Sequence, residues 1–127
     1  MKQILITIAA VVLVGCVLTK LQITDISIQE AAEDGNIKVV KQHLAAGVDV
    51  NAKGYDEWTS LLWAAYGGHK KIAELLIAEG ADVNAKRFGI TSLHQAAYRG
   101  NKKIVELLID KDADVNATNN DNETPLD

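Results

Sequence analysis

The chain has 127 residues, 48% of them hydrophobic and 24% charged, and a formal net charge of −4. That composition is ordinary for a globular domain and excludes wholesale disorder, while an acidic total with no basic stripe excludes the electrostatic footprint of a nucleic-acid-binding protein. The single cysteine, Cys16, excludes an internal disulfide framework and a cysteine-rich zinc site.

Residues 1–20, MKQILITIAAVVLVGCVLTK, differ in kind from the rest. Lys2 supplies a positive start, and Ile4–Leu18 is apolar except for Thr7, Gly15 and Cys16. As a helix this run would reach about 22 Å at about 1.5 Å per residue. That is short of a hydrocarbon core of about 30 Å and right for a secretory signal. It closes in Leu13-Val14-Gly15-Cys16, which resembles the lipobox of bacterial lipoproteins. The resemblance implies that residues 1–15 are removed, that Cys16 is acylated, and that residues 16–26 act as anchor and linker. It implies an exported, membrane-anchored protein facing the periplasm or the cell exterior. The other readings are an uncleaved anchor, ordinary secretion, or a buried hydrophobic helix. The tract Val17–Ile26 is more apolar than a usual tether and offers itself for docking on the segment that follows.

From residue 27 the chain repeats. Thr59–Asn84, TSLLWAAYGGHKKIAELLIAEGADVN, returns at Thr91–Asn116 as TSLHQAAYRGNKKIVELLIDKDADVN, identical at 18 of 26 positions. A period of 32 to 33 residues marks stacked supersecondary units, none of which can bury its apolar face alone. The units are predicted at 27–50, 51–83 and 84–115, with a partial one at 116–127.

The first unit is divergent. Ile28, Ala31-Ala32 and Gly35 align with Leu61, Ala64-Ala65 and Gly68, but Gln42 and His43 stand where the second unit has Leu75 and Leu76. Polar residues there suit a terminal cap facing solvent. In the second unit a polar turn, Lys53–Glu57, precedes Thr59, an N-cap signal for a short helix that carries Leu61, Ala64 and Ala65. A second helix over 70–79 places Ile72, Leu75, Leu76 and Ile77 on one predicted buried stripe, and Gly80 ends it. The third unit follows the same plan from Thr91. The fourth begins as Thr124-Pro125-Leu126-Asp127, which leaves Ile104, Val105, Leu107 and Leu108 only a half-unit to cover them.

The tetrads TSLL, TSLH and TPLD, with linkers VDVNAK, ADVNAK and ADVNAT, resemble the ankyrin repeat. The resemblance implies an all-α solenoid of about three helix pairs plus a C-terminal half-repeat. It implies that His94 bonds to Thr91 of its own repeat and that His69 bonds to neighbouring backbone. Three departures stand out. Glu57 occupies a tip position where the family favours glycine, at a cost of about 1 kcal/mol if a left-handed backbone is kept. Ser60 and Ser92 replace proline at the first helical position. The third turn is one residue shorter than the second.

Candidate chemistry is sparse. His43, His69 and His94 occupy nonequivalent positions and do not form a ligand set, so neither metal nor cofactor is expected. Asp49, Asp82 and Asp114 recur in the linkers, where hydrogen bonds to turn amides are their expected work. Lys70-Lys71 and Lys102-Lys103 read as a solvated ridge, with an acidic partner as the alternative. The aromatic residues carry the functional argument. Tyr55, Trp58, Trp63, Tyr66, Phe88 and Tyr98, joined by Gln95 and Arg99, map to turn tips and to the first helix of each unit. The resemblance makes that face the binding surface, and such side chains dominate interface hot spots. The expectation is therefore a non-catalytic module that binds a protein partner: a scaffold, inhibitor or immunity-type protein of the bacterial envelope. Self-association through the uncapped carboxyl end and service as accessory to an enzyme encoded elsewhere are the rivals.

Overall fold

The computed structural model describes residues 26–126. Leu13–Cys16, with the acylation expected at Cys16, lies outside the described residues, among which no helix is long and apolar enough to cross a membrane. Six helices follow in pairs: α1 (Ile28–Asp34) with α2 (Ile37–Ala45), α3 (Ser60–Gly67) with α4 (Lys70–Ala78), and α5 (Ser92–Tyr98) with α6 (Lys102–Asp110). The described chain is thus an all-α repeat solenoid.

Local chemistry sets the helix ends. Ser27, Thr59 and Thr91 cap α1, α3 and α5, each side chain accepting from the backbone N–H three residues on. Around Ser27 a full capping box forms, because Glu30 Oε2 accepts from the Ser27 N–H at 2.9 Å. Asn36 and Asn101 cap α2 and α6 in the same way. α4 lacks a side-chain cap at His69.

The first helices pack along the stack as α1 on α3 on α5 more extensively than the second helices do. Alanine explains this. Ala31, Ala32, Ala64, Ala65 and Ala96 are fully buried, and small side chains let helix axes approach. The core is completed by Val40, Leu61, Ile72, Leu76, Leu93, Ile104 and Leu108. The predicted stripe of α4 is narrower than expected: Ile72, Ala73 and Leu76 are buried, whereas Leu75 and Ile77 are half-buried. Ile104 and Leu108 are fully shielded, Val105 and Leu107 are half-buried, and Ile109, Val115 and Leu126 are exposed near that end.

The reading of His43 as part of a solvent-facing cap is corrected. His43 occupies the core position of Leu76 and Leu108, is 6% exposed, and donates from Nε2 to the Ile26 carbonyl at 2.8 Å. An imidazole can fill a leucine-sized slot when its N–H finds an acceptor, which removes most of the desolvation cost.

The linkers form a ladder. Asp49, Asp82 and Asp114 each accept through Oδ1 from the amide two residues on, as expected of turn aspartates. The asparagines then join one unit to the next. Asn51 accepts from the Asp82 N–H at 2.7 Å and donates to the Gly80 carbonyl at 3.1 Å. Asn84 does the same to Asp114 at 2.7 Å and Asp112 at 3.4 Å.

The turns differ with their length. In the second turn Gly54 N–H donates to Trp58 O and Glu57 N–H to Gly54 O, with Glu57 at φ 65°, a three-residue hairpin loop ending in a left-handed residue. The fourth turn repeats this pattern with Asn122 at φ 63°, a residue that tolerates the conformation better. The shorter third turn is a two-residue hairpin. Arg87 and Ile90 exchange both backbone bonds while Phe88 and Gly89 take φ 52° and 79°, the signature of a type I′ turn.

Candidate functional site

The turn tips and first helices present the predicted binding residues on one side of the stack, but they do not form one uniform surface. At the centre stand Trp58, Trp63 and Tyr66. Trp58 and Trp63 have ring centroids 4.2 Å apart, and Tyr66 meets them edge-on at 5.8 and 5.6 Å. Trp58 is placed by the hairpin just before the Thr59 cap, where its N–H donates to Asp56 Oδ1 at 3.1 Å. Trp63 and Tyr66 are three apart on α3 and therefore share a face. All three are half-buried, and Trp63 also packs on the core. Edge-to-face pairing of this kind contributes about 0.5–1.5 kcal/mol per pair beyond area burial, so the triad is a structural ridge as well as a surface.

Arg99 comes from the end of α5 and lies with its guanidinium carbon 4.5 Å above the Tyr66 ring. This contact ties the third unit to the second and takes up one ring face. Arg87 makes a second bridge by donating from Nε to the Asp56 carbonyl, and its guanidinium stacks on Phe88 at 4.5 Å.

Two depressions flank the ridge. One, of about 680 Å³, lies between the first and second units and is lined by Glu30 and Glu33 of α1, by Lys53, Tyr55 and Asp56 of the turn, and by Trp63. The other, of about 420 Å³, runs from the second unit across the third to the partial fourth, where Trp58, Tyr66, Ile90, Gln95, Tyr98 and Pro125 contribute the wall. The structure therefore brings together seven of the eight predicted residues: Tyr55 and Trp63 on one side, Trp58, Tyr66, Gln95 and Tyr98 on the other, and Arg99 across Tyr66. Phe88 stays apart, 60% exposed at the tip of the third turn with Arg87.

Tyr66 and Tyr98 hold equivalent sequence positions but different environments. Tyr98 is 87% exposed, because Gln95 replaces the tryptophan on which its counterpart stacks. The sequence did not reveal Ile90 and Pro125 as lining residues, nor the carboxylates of Glu30 and Glu33.

The histidines are structural. His69 donates from Nε2 to the Glu33 carbonyl of the preceding unit at 2.8 Å. His94 Nδ1 accepts from the Thr91 N–H at 3.1 Å, which places the proton on Nε2 and makes it the donor to Glu123 O at 3.1 Å. Among the described residues no group of His, Cys, Asp and Glu is arranged to hold a metal ion. Lys70 pairs with Glu74 at 3.5 Å, and Lys71, Lys102 and Lys103 are solvated.

A sequence comparison with curated proteins finds no match. A family model described as Ankyrin repeats (3 copies) matches residues 28–126, most of the chain.

Proposed function

The chain belongs to the ankyrin repeat family, a family of protein–protein interaction modules that are generally non-catalytic, and from that premise we propose that it binds a protein partner through the concave face built on α3 and α5. The observation that carries this reading is the wall of Trp58, Tyr66 and Tyr98 beside an open depression, with Tyr98 exposed and held by no neighbouring ring. An exposed tyrosine against half-buried aromatic rings supplies contact area at a small entropy cost, as interface anchors do. Catalysis is not part of this reading.

The partner reaches the protein outside the cytoplasm in this proposal. The support is the run Ile4–Leu18 closing in Leu13-Val14-Gly15-Cys16, which fits a lipid-anchored protein of a bacterial envelope. Two tests separate the parts. Mass spectrometry of the mature chain should find a diacylated or triacylated Cys16 as the first residue; an intact Met1 or an unmodified terminus removes the anchor. A photo-crosslinking residue at position 98 should trap a discrete adduct in whole cells that the same residue at position 106, on the outer helix α6, does not trap. Equal trapping from both positions removes the assigned face.

A further inference from the structure

We infer that the partner segment is an extended stretch of polypeptide carrying a lysine or arginine about three residues from an aromatic or large aliphatic side chain, seated across the Trp58–Trp63–Tyr66 ridge. This rests on the binding face assigned above and adds the chemistry of its occupant.

The two depressions differ in charge and polarity. The one beside Trp63 and Tyr55 carries the carboxylates of Glu30, Glu33 and Asp56 against a single cation, Lys53. The one beside Trp58 and Tyr66 is walled by Ile90, Tyr98 and Pro125 and has no charged residue in its lining. A cation is therefore favoured on the first side and an apolar group on the second.

Ring geometry fixes how a cation can approach. Trp58 and Trp63 centroids are only 4.2 Å apart, whereas a guest between two rings needs about 3.5–4 Å on each side. The ridge is thus closed and cannot cage an ammonium. Arg99 already covers Tyr66. On the acidic side, the aromatic surface open to a partner's cation is that of Trp63 and Tyr55, in the depression that Glu30, Glu33 and Asp56 line.

Spacing follows from the repeat. The first depression lies at the junction of the first and second units and the second opens at the next junction, so their near ends are about 10 Å apart if judged from helix-packing distances, and an extended chain rises about 3.3 Å per residue. Three residues span them.

The test is selection of a random 12-residue phage-displayed peptide library on the purified full chain in detergent micelles. A control protein carries Glu30→Gln, Glu33→Gln and Asp56→Asn. These changes remove charge but keep the acceptors that bond to Ser27 and Trp58. The expected result is enrichment of a basic residue three positions from an aromatic or aliphatic one. Binding should fall tenfold or more on the triple variant, fall similarly on Tyr98→Ala, and weaken as salt rises. Enriched peptides that lack the basic residue, or bind the triple variant as well as the parent, overturn the inference. If those peptides still need Tyr98, the binding face stands and only its occupant is wrong. Peptides indifferent to Tyr98→Ala as well, or no enrichment at all, overturn both.

Discussion

The segments Thr59–Asn84 and Thr91–Asn116 agree at 18 of 26 positions, and the rest show how one frame is made to do two jobs. Leu62 is a fully buried apolar side chain, while His94 in its place bonds to Thr91 and reaches the Glu123 carbonyl. Trp63 completes an aromatic ridge; Gln95 leaves Tyr98 bare. His69 lies in a slot kept open by glycine on both sides, since a Cβ at Gly35 or Gly67 would sit 2.5 or 2.6 Å from its ring. Asn101 is smaller and turns to cap α6, so Arg99 can stand where Gly67 does and stretch over Tyr66. Ala73 is fully buried where a complete unit follows, and its counterpart Val105 is half-exposed. The helix ends differ as well. Gly80 gives way to Asp112 at the same left-handed backbone, while Ala78 and Glu79 become Asp110 and Lys111 on the exposed side. The identical buried positions build the stack; most of the variable ones join units or face outward.

This comparison can be broken first at the shared core. Leu76 and Leu108 fill the same fully buried slot, so Leu76→Ala should cost about 2–5 kcal/mol in chemical denaturation. Leu108→Ala should cost less, because Val105, one turn away on α6, is half-buried where its counterpart Ala73 is fully buried, so the surroundings can relax further into the cavity. A larger loss at Leu108 would contradict the assignment of Leu76 to the better-enclosed interior.

The next test exchanges a joining residue. Gly67→Arg introduces into the second unit what the third carries, and its Cβ meets the His69 ring and the Glu33 carbonyl at 2.6 and 2.8 Å. A loss of about 1–3 kcal/mol is expected from that crowding. Adding His69→Asn should recover part of it, and a double-mutant cycle with no coupling would show that the histidine slot is not what forbids a side chain there.

A smaller effect, of opposite sign, concerns Ser60 and Ser92. Both hydroxyls are buried and without a hydrogen-bond partner, at a helix position that suits proline. Ser60→Pro and Ser92→Pro should each raise stability by about 0.4–1 kcal/mol, read from thermal midpoints. The smallest change is at the turns: Glu57→Gly should gain up to about 1 kcal/mol by relieving a left-handed glutamate, and Asn122→Gly clearly less.

Much of this was legible before any coordinates. Period, capping threonines and the alanine pairs define the solenoid, because they act locally or between units of known order. The aromatic face was legible too, as was the His94–Thr91 bond once the family resemblance was in view. What the sequence hid is relational. His43 looked like a solvent-facing polar residue because its acceptor, the Ile26 carbonyl, is backbone and leaves no trace in the side-chain pattern. Asn51 and Asn84 recur as plainly as the aspartates, yet recurrence alone does not tell a turn residue from one that ties two linkers together. Trp63 against Gln95 marks the split of Tyr66 from Tyr98 locally, but the Arg99 that covers Tyr66 arrives from the next unit, a contact across 33 positions with no local signature.

The central claim is that the exposed side chains of the first-helix face bind while the buried core only holds that face up. Tyr98 separates the two, being exposed and outside the ridge, whereas Trp63 serves both roles. The most direct measurement is the thermal midpoint and the affinity for the crosslinked partner, taken together on Tyr98→Ala. An unfolding free energy within about 0.5 kcal/mol of the parent with an affinity loss of about 2 kcal/mol, close to thirtyfold, is the predicted result. Unchanged affinity on an equally stable protein would place the partner on another surface.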